Sequence, residues 1–131
     1  MSNSRRKKIL LVDDSSTALL MEKAILAKRD FELVTARDGE EAVKMCAAEH
    51  PDIVLMDVMM PKMNGFEACR RIRTDPETKD IPIILVTTRG EMDNLETGYA
   101  SGCNDYVTKP INGLELLAKL EDLLGVARAV Q

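Results

Sequence analysis

The chain has 131 residues, of which 45% are hydrophobic and 31% charged, and this composition excludes collagen-like, mucin-like and disordered classes. The length is typical of one domain. Its 18 basic and 22 acidic residues give a net charge of −4, which argues against nucleic acid as a partner. Apolar runs do not exceed four residues, so we expect no membrane-spanning segment and no membrane partner.

The amino-terminal end and the cysteines indicate the compartment. The first eight residues are polar and basic, and only Ile9–Val12 follow before two aspartates, which is too short for a secretory signal. Cys46, Cys69 and Cys103 are far apart, which favours buried thiols in a reducing compartment over a zinc site or a disulfide framework. We therefore expect a cytoplasmic protein.

Five short segments are predicted to be β-strands, separated by helical patterns. The strands are Ile9–Val12, Phe31–Ala36, Ile53–Met56, Ile83–Val86 and the weaker Tyr106–Val107. Most of these segments are apolar without alternation, which is typical of parallel strands buried on both faces. An alternating order of strands and helices predicts an α/β fold, a parallel sheet with helices on both faces.

The first two helical patterns have clear boundaries. Ser15 or Ser16 can cap a helix that presents Met21, Ala24 and Ile25 on one face. The second helix begins at Asp38-Gly39 and ends at His50-Pro51, because proline disfavours helical geometry in the residue before it. Its predicted inward side chains are Ala42, Val43, Cys46 and Ala47.

Three further helices are predicted from apolar spacing. The third begins near Gly65 and presents Phe66, Cys69 and Ile72. The fourth places Met92, Leu95 and Tyr99 at helical spacing, and the fifth presents Leu116, Leu117, Leu120, Leu123 and Leu124.

Polar side chains follow four of the predicted strands, at the edge where open parallel sheets bind ligands. These residues are Asp13-Asp14, Asp57, Thr87-Thr88 and Thr108-Lys109-Pro110. Aspartates after strands are often only helix caps or turn formers, and that role would explain Asp14 or Asp38. It does not explain Asp57, which Val58-Met59-Met60 follow instead of a helix.

Three converging carboxylates would raise one another's pKa values unless a cation shared their site. The available ligands are hard oxygens, so Mg²⁺ (or Mn²⁺) is the expected ion. Lys109 supplies a second positive charge. A carboxylate beside a divalent cation and an ammonium group is suited to accept a phosphoryl group as the nucleophile.

Four separated motifs together resemble a bacterial response-regulator receiver domain. They are Ile9 to Ser15, Asp52 to Pro61, the pair Thr87-Thr88, and Tyr106 with Lys109-Pro110. The resemblance covers about residues 8–125 of a single domain spanning 1–131. The chain is similar to single-domain chemotaxis regulators. It implies a flavodoxin-like, doubly wound five-stranded parallel sheet of order 2-1-3-4-5 with five helices.

The resemblance also implies residue roles. Asp57 would be the phosphoacceptor, and Asp13 and Asp14 would bind Mg²⁺ with it, Asp13 the more directly. The backbone carbonyl of Met59 would complete the metal site. Lys109 would pair with the phosphoryl oxygens and would precede a cis peptide bond to Pro110.

The switch and the partners are implied in the same way. Thr87 would bond the phosphoryl group, and Tyr106 would turn inward when Thr87 moves. A sensor histidine kinase or a histidine phosphotransfer protein would supply the phosphoryl group, and acetyl phosphate could substitute. The surface formed by the fourth helix, the fifth strand and the fifth helix would then change its affinity for a downstream protein target. Such a protein is a switch and not a turnover enzyme.

Some positions depart from the family pattern. Thr88 stands where a smaller residue is frequent, and Ile111 stands where an aromatic residue is common. Met59 and Arg89 each lie two residues beyond a site residue. Our hypothesis is that their bulk slows the attack of water on the aspartyl phosphate.

Three alternatives remain open from the sequence. A flavodoxin-like electron carrier would need a phosphate loop after the first strand, where this chain has Asp13-Asp14. An aspartyl-phosphate phosphatase would need a second carboxylate two residues after the nucleophile, where Met59 stands. A degenerate receiver would bind a partner protein independently of phosphorylation.

Overall fold

A computed structural model describes residues 6–88 and 99–125 of the chain. The strands are β1 (Lys7–Val12), β2 (Phe31–Ala36), β3 (Ile53–Asp57), β4 (Ile83–Thr87) and β5 (Asp105–Thr108). The helices are α1 (Ser16–Leu26), α2 (Gly39–Glu49), α3 (Gly65–Thr74) and α4 (Gly113–Leu124). All five predicted strands are confirmed, and α4 is the predicted fifth helix. Met92 and Leu95 of the predicted fourth helix lie outside the described residues.

The strands form one parallel sheet in the order β2-β1-β3-β4-β5, which confirms the implied topology. Successive side chains of a strand point to opposite faces of the sheet. Leu10, Val54 and Leu85 therefore pack with α2 and α3 on one face. Ile9 and Leu55 pack with α1 and α4 on the other face. The fold is thus doubly wound, with a buried cluster on each side of the sheet.

The predicted inward face of α1 was wrong. Met21 is 58% exposed and Ala24 is also exposed, whereas Ile25 is half-buried. The residues that α1 buries are Leu19, Glu22 and Leu26. The predicted face grouped Met21 with Ala24 and Ile25, whereas the buried face of α1 is turned away from Met21 and Ala24 and includes one glutamate. A smaller error concerns Ala47 of α2, which is exposed.

Side-chain caps set the beginnings of the helices. Ser15 caps α1 by accepting a hydrogen bond from the backbone N–H of Ala18 at 3.2 Å. Asp38 caps α2 in the same way with the N–H of Glu41 at 2.8 Å. Such caps satisfy N–H groups that have no partner within the helix. Within the described residues, we find no helix long and apolar enough to cross a bilayer.

The end of α2 has an unusual backbone conformation. His50 takes the left-handed region, with φ 47° and ψ 60°, and its N–H still donates to the carbonyl of Cys46 at 3.0 Å. Pro51 follows, and Asp52 donates its N–H to the carbonyl of Lys8 at 2.8 Å. The end of α2 therefore lies at the edge of the sheet where β1 and β3 begin.

A close backbone approach fixes the segment that follows β3. The N–H of Gly65 donates to the carbonyl of Val58 at 2.8 Å. A Cβ atom at Gly65 would lie 2.6 Å from the carbonyl oxygen of Asp57. Only glycine can bring the start of α3 so close to this strand end. The backbone of Asp57 is thereby packed against the start of α3.

Candidate functional site

Three carboxylates converge at the edge of the sheet where β1 and β3 end. Asp13, Asp14 and Asp57 each place one oxygen so that all three oxygens lie within 4.8 Å of one another. Asp13 and Asp57 are buried, at 1% and 6% exposure, whereas Asp14 is exposed. The sequence prediction that these carboxylates meet is supported by this geometry. Such proximity of like charges favours a bound cation.

Local hydrogen bonds hold the end of β1 in place. An oxygen of the Asp13 carboxylate accepts from the backbone N–H of Ser15 at 2.9 Å. The N–H of Asp13 donates to the carbonyl of Ala36 at 3.1 Å. The guanidinium of Arg37 donates to the carbonyl of Asp14 at 2.9 Å. These bonds orient Asp13 towards the site and leave its second oxygen for other partners.

Lys109 brings a positive charge between two of the carboxylates. Its Nζ lies 3.4 Å from Oδ2 of Asp13 and 3.4 Å from Oδ1 of Asp57. Burial by itself would lower the pKa of Lys109, but the carboxylates of Asp57 and Asp13 outweigh that effect and raise it. Lys109 is therefore an ammonium at neutral pH. Its peptide bond to Pro110 is cis, as the resemblance implied.

Thr87 lies at the end of β4, one residue beyond the register partner of Asp57. Asp57 pairs with Val86, and the carbonyl of Thr87 accepts from the N–H of Lys109 at 2.8 Å. Thr87 is buried, and its hydroxyl donates to the carbonyl of Thr88 at 3.2 Å. Thr87 is thus beside the carboxylate site, with its hydroxyl bonded to the following backbone.

Tyr106 lies on β5 and is half-buried. It pairs with Leu85 in the parallel register of β4 and β5. The ring of Tyr99 meets the ring of Tyr106 edge-to-face, with centroids 6.3 Å apart and an interplanar angle of 79°. Tyr106 therefore lies on the edge strand of the sheet, next to the strand that ends in Thr87.

The remaining predicted positions lie around this centre. Met59 is 62% exposed and immediately follows the segment held by Gly65. Its backbone carbonyl as a metal ligand stays a prediction. Thr88 is exposed and Ile111 is half-buried. Arg89 lies outside the described residues.

The donor set of this site fits a hard divalent cation. The three oxygens that could hold an ion all belong to carboxylates, which Mg²⁺ and Mn²⁺ prefer. Three carboxylates and one ammonium leave a net negative charge that a divalent ion would neutralise. Asp13, Asp14 and Asp57 are the residues that would hold it.

Sequence reasoning missed one further carboxyl group near the site, that of Glu22. It lies on the buried face of α1, with 2% of its surface exposed. Its pKa is raised to about 8, chiefly by desolvation and further by the charges of Asp13 and Asp57, while the charge of Lys109 acts to lower it. The signal in the sequence is its spacing, since Leu19, Glu22 and Leu26 recur at helical intervals on one face.

The three cysteines behave as the sequence predicted. Cys46, Cys69 and Cys103 are free and buried. Burial raises the pKa of Cys46 to about 12 and that of Cys103 to about 11. Burial likewise raises the pKa of Cys69. All three are therefore protonated thiols that pack in the core.

Comparison with known proteins identifies the class of fold and site. The family model of the response regulator receiver domain matches residues 9–121. The chain therefore belongs to the response regulator receiver domain family. Members of this family are switches of two-component signalling and are not, in general, turnover enzymes. Proteins of this family bind Mg²⁺ at an acidic pocket and interact with histidine kinases and with downstream targets.

Two curated relatives show how the domain occurs in other proteins. Protein PilH of Pseudomonas aeruginosa is 39% identical over 117 residues, which are 89% of this chain and 97% of PilH. The probable transcriptional regulator ycf27 of Cyanophora paradoxa is 42% identical over 119 residues, 91% of this chain and 48% of that protein. The chain spans about half the length of ycf27 and nearly all of PilH.

Two solved structures have the same fold. The chemotaxis response regulator CheY4 of Vibrio cholerae has a TM-score of 0.84 and 33% identity, covering 91% of this chain and 99% of that one. The receiver domain of a sensor histidine kinase from Pseudomonas aeruginosa PAO1 has a TM-score of 0.85 and 30% identity, covering 92% and 99%. The latter has a magnesium ion coordinated in its active site cleft.

Proposed function

We propose that this domain is a phosphorylation switch in which Asp57 accepts a phosphoryl group in a Mg²⁺-dependent reaction. The donor is a phosphohistidine of a sensor histidine kinase or of a histidine phosphotransfer protein. The observation that carries the proposal is the position of Lys109, whose ammonium lies 3.4 Å from both Asp13 and Asp57 within a group of three carboxylates. The single receiver domain covers the whole chain, with a core of about residues 8–125.

The chemistry follows from two positive charges beside Asp57, the ammonium of Lys109 and the divalent ion that the carboxylates would hold. A carboxylate oxygen of Asp57 attacks phosphorus, a P–O bond forms, and the P–N bond to the donor imidazole breaks. The imidazole nitrogen keeps the electron pair and takes a proton. Asp57 is 6% exposed, so little water competes with it at the moment of attack.

The residues around Asp57 then stabilise the transferred group. A divalent ion held by Asp13, Asp14 and Asp57 would supply charge neutralisation for the phosphoryl oxygens. Lys109, already within 3.4 Å of Asp57, follows the new negative charge. The hydroxyl of Thr87 leaves the carbonyl of Thr88, to which it donates at 3.2 Å, and donates to a phosphoryl oxygen instead.

The movement of Thr87 provides the output. Thr87 and Tyr106 lie on adjacent strands, so withdrawal of Thr87 makes room for the ring of Tyr106 to turn inward. The surface formed by the predicted helix of Met92, Leu95 and Tyr99, by β5 and by α4 then binds a downstream protein target differently. The free, unpaired cysteines support a cytoplasmic location for this exchange.

Intact mass measured after incubation with acetyl phosphate tests the proposal. We expect one phosphoryl group on the wild-type protein, and none after removal of Mg²⁺ with a chelator or in Asp57→Asn. Asp30→Asn is the matched control, since the one contact of the Asp30 side chain among residues 6–88 and 99–125 is a long, exposed one with Arg6 at 3.5 Å. Failure of the wild type to accept a phosphoryl group, even from purified histidine kinases, would favour the degenerate receiver that binds a partner without phosphorylation.

A further inference from the structure

Glu22 is a buried carboxyl group with one oxygen that accepts no hydrogen bond among the described residues. It is 2% exposed, and among residues 6–88 and 99–125 its Oε1 atom has no hydrogen-bonding partner. A buried polar atom without a partner lowers the stability of a fold. An unsatisfied group of this kind therefore points to a contact that forms in another state of the site.

A cavity of about 220 Å³ joins Glu22 to Lys109. It lies between α1 and the segment after β5, and both side chains line it. The other lining residues are Ala18, Met21, Ile25, Pro110 and Ile111. None of these five side chains carries an oxygen acceptor. Within the cavity wall, the carboxyl group of Glu22 is thus the side chain to which an ammonium can donate.

A divalent ion would change the position of Lys109. In the structure its Nζ shares the oxygens of Asp13 and Asp57 at 3.4 Å each. These two carboxylates belong to the group that would hold the ion. An ammonium and a divalent cation repel each other strongly when they share the same ligands in a partly buried site. Lys109 must therefore give up part of its contact with Asp13 when the ion binds.

We propose that Glu22 is a positioning residue, which accepts a hydrogen bond from Lys109 when a divalent ion occupies the site of Asp13, Asp14 and Asp57. The inference rests on the proposed function and concerns the same site. Glu22 keeps the displaced ammonium close to Asp57, where it remains available to the incoming phosphoryl group. The buried carboxyl group of Glu22 then has a hydrogen-bonding partner in the metal-bound state. This explains why the fold keeps a group that lowers its stability in the metal-free state.

The test is a double-mutant cycle on Mg²⁺ affinity, measured by isothermal titration calorimetry on the whole chain. Glu22→Leu is introduced into the wild type and into Lys109→Met. Because a charge-assisted hydrogen bond is lost, we expect Mg²⁺ binding to weaken about tenfold in the wild-type background. In the Lys109→Met background we expect no change, because the partner of Glu22 is already absent.

Other variants separate this role from a purely structural one. Glu22→Gln keeps an acceptor oxygen and should bind Mg²⁺ with intermediate affinity. Leu26→Ala, on the same buried face of α1, should lower the urea midpoint without changing Mg²⁺ affinity. Glu22→Leu should raise the urea midpoint while it weakens Mg²⁺ binding, a combination that general damage to α1 does not produce.

Two results would overturn the inference while leaving the proposed function intact. The first is an unchanged Mg²⁺ affinity in Glu22→Leu and Glu22→Gln. The second is an equal loss of affinity with and without Lys109, which would assign Glu22 a direct electrostatic effect on the ion. A wild-type protein that takes up no Mg²⁺ would instead refute the proposed metal site, and this role with it.

Discussion

The ammonium of Lys119 lies 5.1 Å from the centroid of the Tyr106 ring. The same Nζ donates to Oδ1 of Asp105 at 3.0 Å and to the carbonyl of Tyr106 at 2.8 Å. On the aromatic side, the ring of Tyr99 makes an edge contact with that of Tyr106. Lys119 is anchored by hydrogen bonds, so its cation–π contact helps to fix the ring of Tyr106 in the orientation seen here.

Replacing Lys119 by methionine should release the Tyr106 ring. An exposed cation–π contact contributes about 0.5–1 kcal/mol, so the ratio of ring orientations should change about two- to fivefold. NMR of ring-labelled tyrosine measures this ratio, and Tyr99→Phe leaves one signal because the chain has two tyrosines. Lys119→Arg keeps the cation and serves as the control. Identical ratios in Lys119→Met and the wild type would show that the contact does not restrain the ring.

Replacing Met59 by asparagine should shorten the life of the aspartyl phosphate. Met59 is 62% exposed and lies two residues after Asp57, where its apolar bulk obstructs water approaching from solvent. Asparagine is smaller and can hydrogen-bond an attacking water molecule. The rate of loss of the phosphoryl group, followed by intact mass, should rise severalfold. Met59→Leu, which keeps the apolar bulk, should retain the wild-type lifetime, and equal lifetimes in all three proteins would contradict the hypothesis.

Arg73 should contribute more to stability than any neighbouring arginine of α3. Its guanidinium donates to the carbonyl of Ile81 at 2.7 Å, to that of Gly102 at 2.9 Å and to Oδ1 of Asn104 at 2.9 Å. Arg73→Ala removes this donor from the carbonyls of Ile81 and Gly102, although Oδ1 of Asn104 still accepts from the N–H of Ile83 at 2.8 Å. The free energy of unfolding should therefore fall by about 2–4 kcal/mol. Urea denaturation measures the loss.

The control for Arg73 is Arg71→Ala on the same helix. Arg71 is 58% exposed and pairs with Glu67 at 3.3 Å across one helical turn. Exposed pairs of this type contribute about 0.3–0.5 kcal/mol. An equal destabilisation by the two substitutions would mean that the three bonds of Arg73 add nothing specific.

Without a divalent ion, Glu22 should make the stability of the domain depend on pH. Its pKa is about 8 in the folded state against an ordinary value of 4.5, so between these values the folded state binds more protons than the unfolded state. The free energy of unfolding therefore falls as pH rises through this range. Glu22→Gln, which cannot titrate, should show a smaller fall between ~pH 5 and ~pH 8 in urea denaturation with a chelator present. Parallel curves for the two proteins would refute the assignment.

The sequence predicted best what depends on local pattern. The strand Ile53–Asp57 is an uninterrupted apolar run that ends in a carboxylate, and both its position and its burial follow from those letters. Asp38 is a cap residue before a helical pattern, so the start of α2 was also predictable. Once the strands are parallel, the meeting of Asp13 and Asp57 follows from topology, because both lie at the same end of neighbouring strands.

Contacts between distant residues could not be predicted in this way. The buried Glu121 is paired with Arg29 at 2.7 Å, although 92 residues separate them. Glu22 and Arg73 have polar side chains whose burial depends on what the rest of the fold brings beside them. A hydrophobicity pattern places all such residues at the surface, which is why the orientation of α1 was predicted wrongly.

The left-handed turn at His50 bears on where the phosphoryl group of the proposed reaction can come from. His50 is the single histidine of the chain, and it precedes β3, whereas Asp57 ends that strand. The length of β3, five residues at about 3.3 Å each, separates the two edges of the sheet by roughly 16 Å. Rotation of the imidazole does not bridge that distance, so His50 is not placed to donate a phosphoryl group to Asp57 of the same domain. Under the proposed function, the phosphoryl group on Asp57 therefore comes from outside these 131 residues and not from His50 of the same domain.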